Sequence, residues 1–70
     1  MADVATVARP GSPLTDRERR VLEVMRTADS EAAAASELGI SPHTVDTHLR
    51  NIRSKLAVRT TRQAIAVTFG

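Results

Sequence analysis

Val45, Leu49, Ile52 and Leu56 recur at i, i+4, i+7 and i+11. That spacing draws one apolar stripe along an α-helix at about 100° per residue. His43, Asp46, Thr47 and Arg50 fall at i, i+3, i+4 and i+7 on roughly the opposite side. Ser41 can cap the helix, and Pro42 suits the first helical position, where a missing N–H costs nothing. The pattern predicts a helix over 42–56, on the order of 22 Å long. One face pins it to a core. The other face is polar and is not needed by that core, so it is free to read a partner.

The remaining elements are shorter. Thr15-Asp16-Arg17-Glu18 has the form of a capping box. It predicts a helix running to about Thr27, with Val21, Leu22 and Met25 buried and Val24 at the margin. Arg17, Glu18, Arg19, Arg20 and Glu23 are expected on its exposed side, with an i, i+4 pair between Arg19 and Glu23. Leu14, ahead of the cap, can pack against the first turn. Ser30 caps a second, two-turn helix over 31–38, rich in alanine, with Ala34, Ala35 and Leu38 inward. Gly39 suits a left-handed C-terminal position. Ile40 plugs the core and Ser41 starts the next helix. A three-residue turn thus joins a short helix to a longer amphipathic one, which is the layout of a helix-turn-helix. After a link at 57–59, with Val58 buried, Thr60-Thr61-Arg62-Gln63 repeats the capping-box form. The fourth helix offers Ala64, Ile65, Val67 and Thr68 for packing. No strand pattern and no internal repeat occurs. The expected fold class is all-α, a four-helix bundle containing a helix-turn-helix over 14–70. Residues 1–13 read as a flexible arm or linker remnant, ending in the punctuated run Arg9-Pro10-Gly11-Ser12-Pro13.

Composition narrows the chemistry. Seventy residues make one small domain. The chain has no cysteine, so neither a disulfide nor a cysteine metal site can brace it. His43 and His48 are five apart and do not share a helical face, so no paired metal site is expected. No catalytic constellation and no glycine-rich phosphate loop appears, so neither an enzyme nor a cofactor is expected. No apolar run reaches membrane-spanning length and no leader pattern opens the chain, which points to the cytoplasm. One Phe, with no Trp or Tyr, disfavours single-strand recognition by base stacking. Net charge is +2, but it is unevenly spread. Residues 47–70 carry Arg50, Arg53, Lys55, Arg59 and Arg62 and no acid. All eight acids lie in residues 1–46. A basic half suits a polyanion, although solvated helix charges explain the same pattern.

The words Leu14-Thr15, Arg17-Glu18, Val21-Leu22, Leu38-Gly39-Ile40-Ser41, Thr44-Val45, His48, Ile52, Lys55-Leu56, Val58, Arg62 and Ala64-Ile65 occur in the order and spacing of a known family. The stretch from Leu14 to Val67 resembles the LuxR-type helix-turn-helix domain, the output module of NarL/FixJ-like bacterial response regulators. The resemblance implies a transcriptional regulator that binds double-stranded DNA, usually as a homodimer, with the third helix in the major groove. It places the protein on the bacterial nucleoid, with RNA polymerase as a possible further partner. By position it makes His43, Asp46, Thr47 and Arg50 base-reading, in agreement with the face analysis. It sets Thr44, His48, Asn51 and Lys55 near phosphate. Arg59, in a loop at the basic end, is the best further candidate for a backbone contact. The fourth helix commonly makes the dimer contact, so Arg62, Ile65 and Val67 form the expected seam, with Val67 open between seam and core.

Two positions depart from the family. Ala32 stands where the family usually has a lysine early in the second helix, which removes a phosphate contact. Asp46 stands where a lysine usually follows Thr44-Val45, and a carboxylate there is repelled by phosphates. Asp46 has three readings. In the first it accepts from a cytosine amino group, in the second it pairs with Arg50 at i, i+4 and holds it towards a guanine, and in the third it simply suits the N-terminal half of a helix dipole. The second is favoured.

Plainer readings stand beside these. Ser30, Ser41 and Thr44 serve as local caps as readily as DNA contacts, and Ser41 is assigned to capping. His48 lies about 60° off the apolar stripe and suits a half-buried boundary position. Arg9, Arg53, Arg59 and Arg62 can be solvated charges only. Two other functions compete with the regulator. One is promoter binding like that of region four of a sigma factor. The other is a protein-interaction module in which Asp46 and Ala32 have reduced DNA binding.

Overall fold

Every helix among the described residues starts on a hydroxyl residue. The computed structural model describes Gly11 and residues 13–70. In it Thr15, Ser30, Ser41 and Thr60 cap α1 (Asp16–Met25), α2 (Glu31–Leu38), α3 (Pro42–Leu56) and α4 (Thr61–Phe69). Each cap oxygen accepts from the backbone N–H three residues on, which satisfies a donor that the helix itself leaves unpaired. At α1 and α4 the box closes reciprocally, through Glu18 and Gln63. No strand occurs among the described residues. The expected arm over 1–13, including Arg9 and Ser12, lies outside them apart from Gly11 and Pro13.

Helices α2 and α3 each end on a left-handed residue. Gly39 has φ 71° and closes α2, with the Ile40 N–H donating to the Ala35 carbonyl at 3.0 Å. Ala57 has φ 57° and closes α3 in the same way, its neighbour Val58 donating to the Arg53 carbonyl at 3.0 Å. A non-glycine residue here is unusual, because Cβ crowds the carbonyl oxygen.

The apolar stripe of α3 carries the core. Val45, Leu49 and Ile52 are fully buried against Val21 and Leu22 of α1, Ala35 of α2 and Ala64 of α4. Leu14, Met25, Leu38, Ile40, Leu56, Val58, Ile65 and Phe69 pack around that cluster. Helix α3 meets all three other helices. Alanines on α2 keep its surface low where α3 crosses. Truncating Leu49 to alanine would cost about 2–5 kcal/mol, close to the whole stability of so small a domain.

The structure corrects several expectations. Helix α1 ends at Met25 rather than Thr27, because Thr27 and Ala28 turn back onto the Val24 carbonyl. Val24 is buried and Met25 only partly so. Val24 faces the side on which α2 packs, where it shares a shallow depression with Glu37. Glu23 pairs with Arg20 at 3.1 Å, one residue nearer than the expected Arg19. Val67 points outward, 62% exposed, and is no core residue. Glu18, expected on the surface, is buried.

Candidate nucleic-acid interface

The outer side of α3 begins with how the helix is started. The Ser41 hydroxyl accepts from the Thr44 N–H at 3.1 Å and sits 2.9 Å from the Thr44 hydroxyl. Ser41 therefore caps, as expected, and the Thr44 side chain is part of the same cap. One turn on, the Thr47 hydroxyl donates to the His43 carbonyl at 3.1 Å. Its hydrogen is used within the helix, which leaves its methyl group and oxygen lone pairs facing out. His43, Thr47 and Arg50 are exposed and Asp46 is half-buried. The four lie on one side of α3, away from the buried stripe of Val45, Leu49 and Ile52.

Asp46 and Arg50 are joined. The Arg50 Nε lies 3.1 Å from the Asp46 carboxylate, with side chains 73% and 36% exposed respectively. Arginine offers five N–H donors in a planar fork. The contact at Nε is a close ion pair and not an aligned hydrogen bond, and neither terminal amino group makes a hydrogen bond among the described residues.

Lys55 behaves differently from expectation. Its ammonium is 2.6 Å from the Glu18 carboxylate and donates to the Pro13 carbonyl at 3.2 Å. The side chains of Lys55 and Glu18 are only 12% and 6% exposed. The ammonium that the resemblance set near phosphate is thus already matched by a carboxylate and largely out of solvent. The signal was in the sequence. Glu18 precedes Val21, Leu22 and Met25 by three, four and seven positions, which puts it on the buried stripe of α1.

His48 is half-buried, at the boundary where the spacing put it. Burial holds its pKa below the ordinary 6.5, the charge of Arg17 adds to that, and Glu18 opposes it. At neutral pH the ring is therefore uncharged and can offer a phosphate an N–H but no full charge. The same proximity brings Arg17, read from sequence as mere decoration of α1, to the flank of α3. Asn51 is half-buried beside it. Arg53 donates to the Thr61 hydroxyl at 3.3 Å, tying α3 to the start of α4. The Arg59 side chain is exposed, while its backbone N–H donates to Gln63. Of the five cations in residues 47–70, Arg50 and Lys55 are thus paired with acids from residues 1–46. Arg53, Arg59 and Arg62 have no carboxylate partner among the described residues.

On α4, Arg62 and Val67 are exposed and Ile65 is half-buried. Arg62 and Ile65 border a shallow depression shared with Met25, Arg26 and Ala28. Arg26 also lies 4.6 Å above the Phe69 ring. No group of acids or histidines among the described residues could hold a metal ion. No helix among them is long and apolar enough to cross a membrane.

This architecture meets a family description directly. The model of bacterial regulatory proteins of the luxR family, GerE, matches residues 12–68. The chain belongs to that family. A luxR-family domain is a helix-turn-helix of DNA-binding regulators of transcription, and the four helices are those of such a domain. Among similar proteins, the transcriptional regulatory protein MctR of Rhizobium johnstonii is 38% identical over 55 residues, 79% of this chain and 26% of MctR. The HTH-type transcriptional regulator MalT of Vibrio campbellii is 39% identical over 54 residues, 77% of this chain and 6% of MalT. MalT of Yersinia pestis gives the same figures. The chain therefore spans about a quarter or less of the curated relatives it matches. No solved structure matches it.

Proposed function

We propose that this luxR-family domain binds double-stranded DNA sequence-specifically, with α3 in the major groove, and does so as a homodimer joined through α4. The observation that carries the reading is the outer side of α3. His43, Asp46, Thr47 and Arg50 stand on a helix that three others hold from behind, and no packing in the domain needs them. A helix presented in this way fits the groove's width and reads base edges there. Arg17, His48, Asn51 and Arg59 flank it as phosphate contacts, with Thr44 contributing through its cap. Arg62, Ile65 and Val67 make the dimer seam. The family membership favours this regulator over a sigma-factor region.

Selection of bound duplexes from a random pool tests the proposal. A pseudo-palindromic site with half-sites about one helical turn apart is the expected product. Binding should also weaken steeply with salt, because each neutralised phosphate releases a counterion. A pool that returns no enriched sequence would sink the proposal.

One observation favours a second reading, a protein-interaction module. Pairing of Arg50 and Lys55 with acids removes two cations from the basic half. A dimer that forms normally but shows no salt-dependent duplex binding would select this reading instead.

A further inference from the structure

We propose that Asp46 is a positioning residue. It holds Arg50 so that the domain selects a guanine, and it lowers affinity for DNA at large. The inference rests on the DNA-binding reading above and deepens it. An arginine as exposed as Arg50 samples many rotamers when unpartnered, and freezing them on binding costs entropy. The Asp46 carboxylate, 3.1 Å from Nε, removes part of that freedom beforehand. The two terminal amino groups remain, and their fork matches the O6 and N7 acceptors of one guanine in the major groove. So exposed an ion pair adds little to stability. Its effect lies in where it holds the guanidinium.

The same carboxylate acts against indiscriminate binding. A negative group on the outer side of α3 is repelled by every phosphate, whatever the sequence. Pairing also cancels the charge of Arg50, the sole arginine or lysine among the four reading residues. Random duplex meets a face without net attraction from this pair. A duplex with guanine in register recovers the loss through the bidentate contact. Asp46 thus raises the ratio of specific to random binding by lowering the second more than the first.

Duplexes are selected from a random pool with the 70-residue chain. Affinities of the parent, Asp46→Ala, Asp46→Glu and Arg50→Ala are then measured on three duplexes: the selected one, the same with its guanine replaced, and random sequence. The selected half-site should contain a guanine whose replacement weakens the parent by about ten-fold or more. Asp46→Ala should bind random duplex more tightly and lose most of that discrimination. Asp46→Glu, whose carboxylate still reaches an arginine one turn on, should retain it, and Arg50→Ala should abolish it. Unfolding midpoints equal to the parent's keep the comparison on recognition. If Asp46→Ala tightens binding to all three duplexes in parallel, with discrimination intact, the proposal is overturned while the DNA reading stands. A selected site without an Arg50-dependent guanine does the same. A parent that binds no duplex overturns the DNA reading itself, and this proposal with it.

Discussion

Lys55, near the end of α3, places its ammonium 2.6 Å from the Glu18 carboxylate in the first turn of α1. The two residues are 37 apart in sequence and both are largely out of solvent. Glu18 also accepts the Thr15 N–H at 2.9 Å, so one carboxylate closes the capping box of α1 and anchors α3. Breaking a buried pair by removing one partner leaves an unmatched charge and costs about 3 kcal/mol or more. Glu18→Ala should therefore remove most of the domain's stability. Glu18→Gln should cost less, because its amide oxygen still serves Thr15. In urea denaturation, Glu18→Gln combined with Lys55→Met should be less destabilised than the two single changes summed, by about 1 kcal/mol or more.

The pH dependence of stability follows from the same corner. Burial by itself raises the Glu18 carboxyl, but the Lys55 ammonium and the Thr15 N–H outweigh it, and the folded pKa lies below the ordinary 4.5. Burial lowers His48 below 6.5. Both groups then bind fewer protons folded than unfolded, so stability rises with pH. The His48 contribution is complete above 6.5 and is lost as pH falls through the lowered value. The Glu18 contribution is complete above 4.5 and is lost below that. Denaturation midpoints should decline in two stages on acidification, and His48→Gln should erase the first.

Two left-handed positions invite opposite substitutions. A Cβ on Gly39 would meet nothing within 4 Å, so the demand there is on backbone angle and not on space. Gly39→Ala should cost about 1 kcal/mol and Gly39→Asn less, since asparagine tolerates that conformation. Ala57, at φ 57°, already bears that strain, and Ala57→Gly should stabilise by up to about 1 kcal/mol. Thermal melting of the three variants orders them.

Under the proposed function, Arg59 and Lys55 should separate in salt titrations. Arg59→Ala should reduce the slope of log affinity against log salt by about 1 without affecting stability. Lys55→Met should lower stability and leave the slope unchanged, because that ammonium neutralises Glu18 and not phosphate.

Val67→Ser tests the seam. A side chain 62% exposed on α4 contributes little to the monomer fold, so melting should hardly change. Binding to a two-half-site duplex should lose cooperativity, read as a weaker gel shift that passes through a singly occupied intermediate.

Local chemistry made most of the architecture legible. All four caps, the bounds of α2 and α3 and the left-handed Gly39 follow from hydroxyl, proline and glycine positions that act within a turn. The Asp46–Arg50 contact was equally local, one turn along α3. Contacts between distant segments were harder. Nothing near Lys55 announces Glu18, although the place of Glu18 on the stripe of α1 hinted at its burial. The exchange of Val24 for Met25 depends on where α2 lies, and the approach of Arg17 to His48 depends on how α1 crosses α3. Helix periodicity fixes neither.

The segment at Gly11 and Pro13 is held by one residue from two ends. The Gly11 N–H donates to the Lys55 carbonyl at 2.7 Å, and the Lys55 ammonium donates to the Pro13 carbonyl. Mechanically this is a load path. Tension on the chain ahead of Gly11 would be borne first by the last turn of α3 and would pass through the Glu18 carboxylate into α1. Helix α3 is thus the first part of the described fold to feel a pull from upstream.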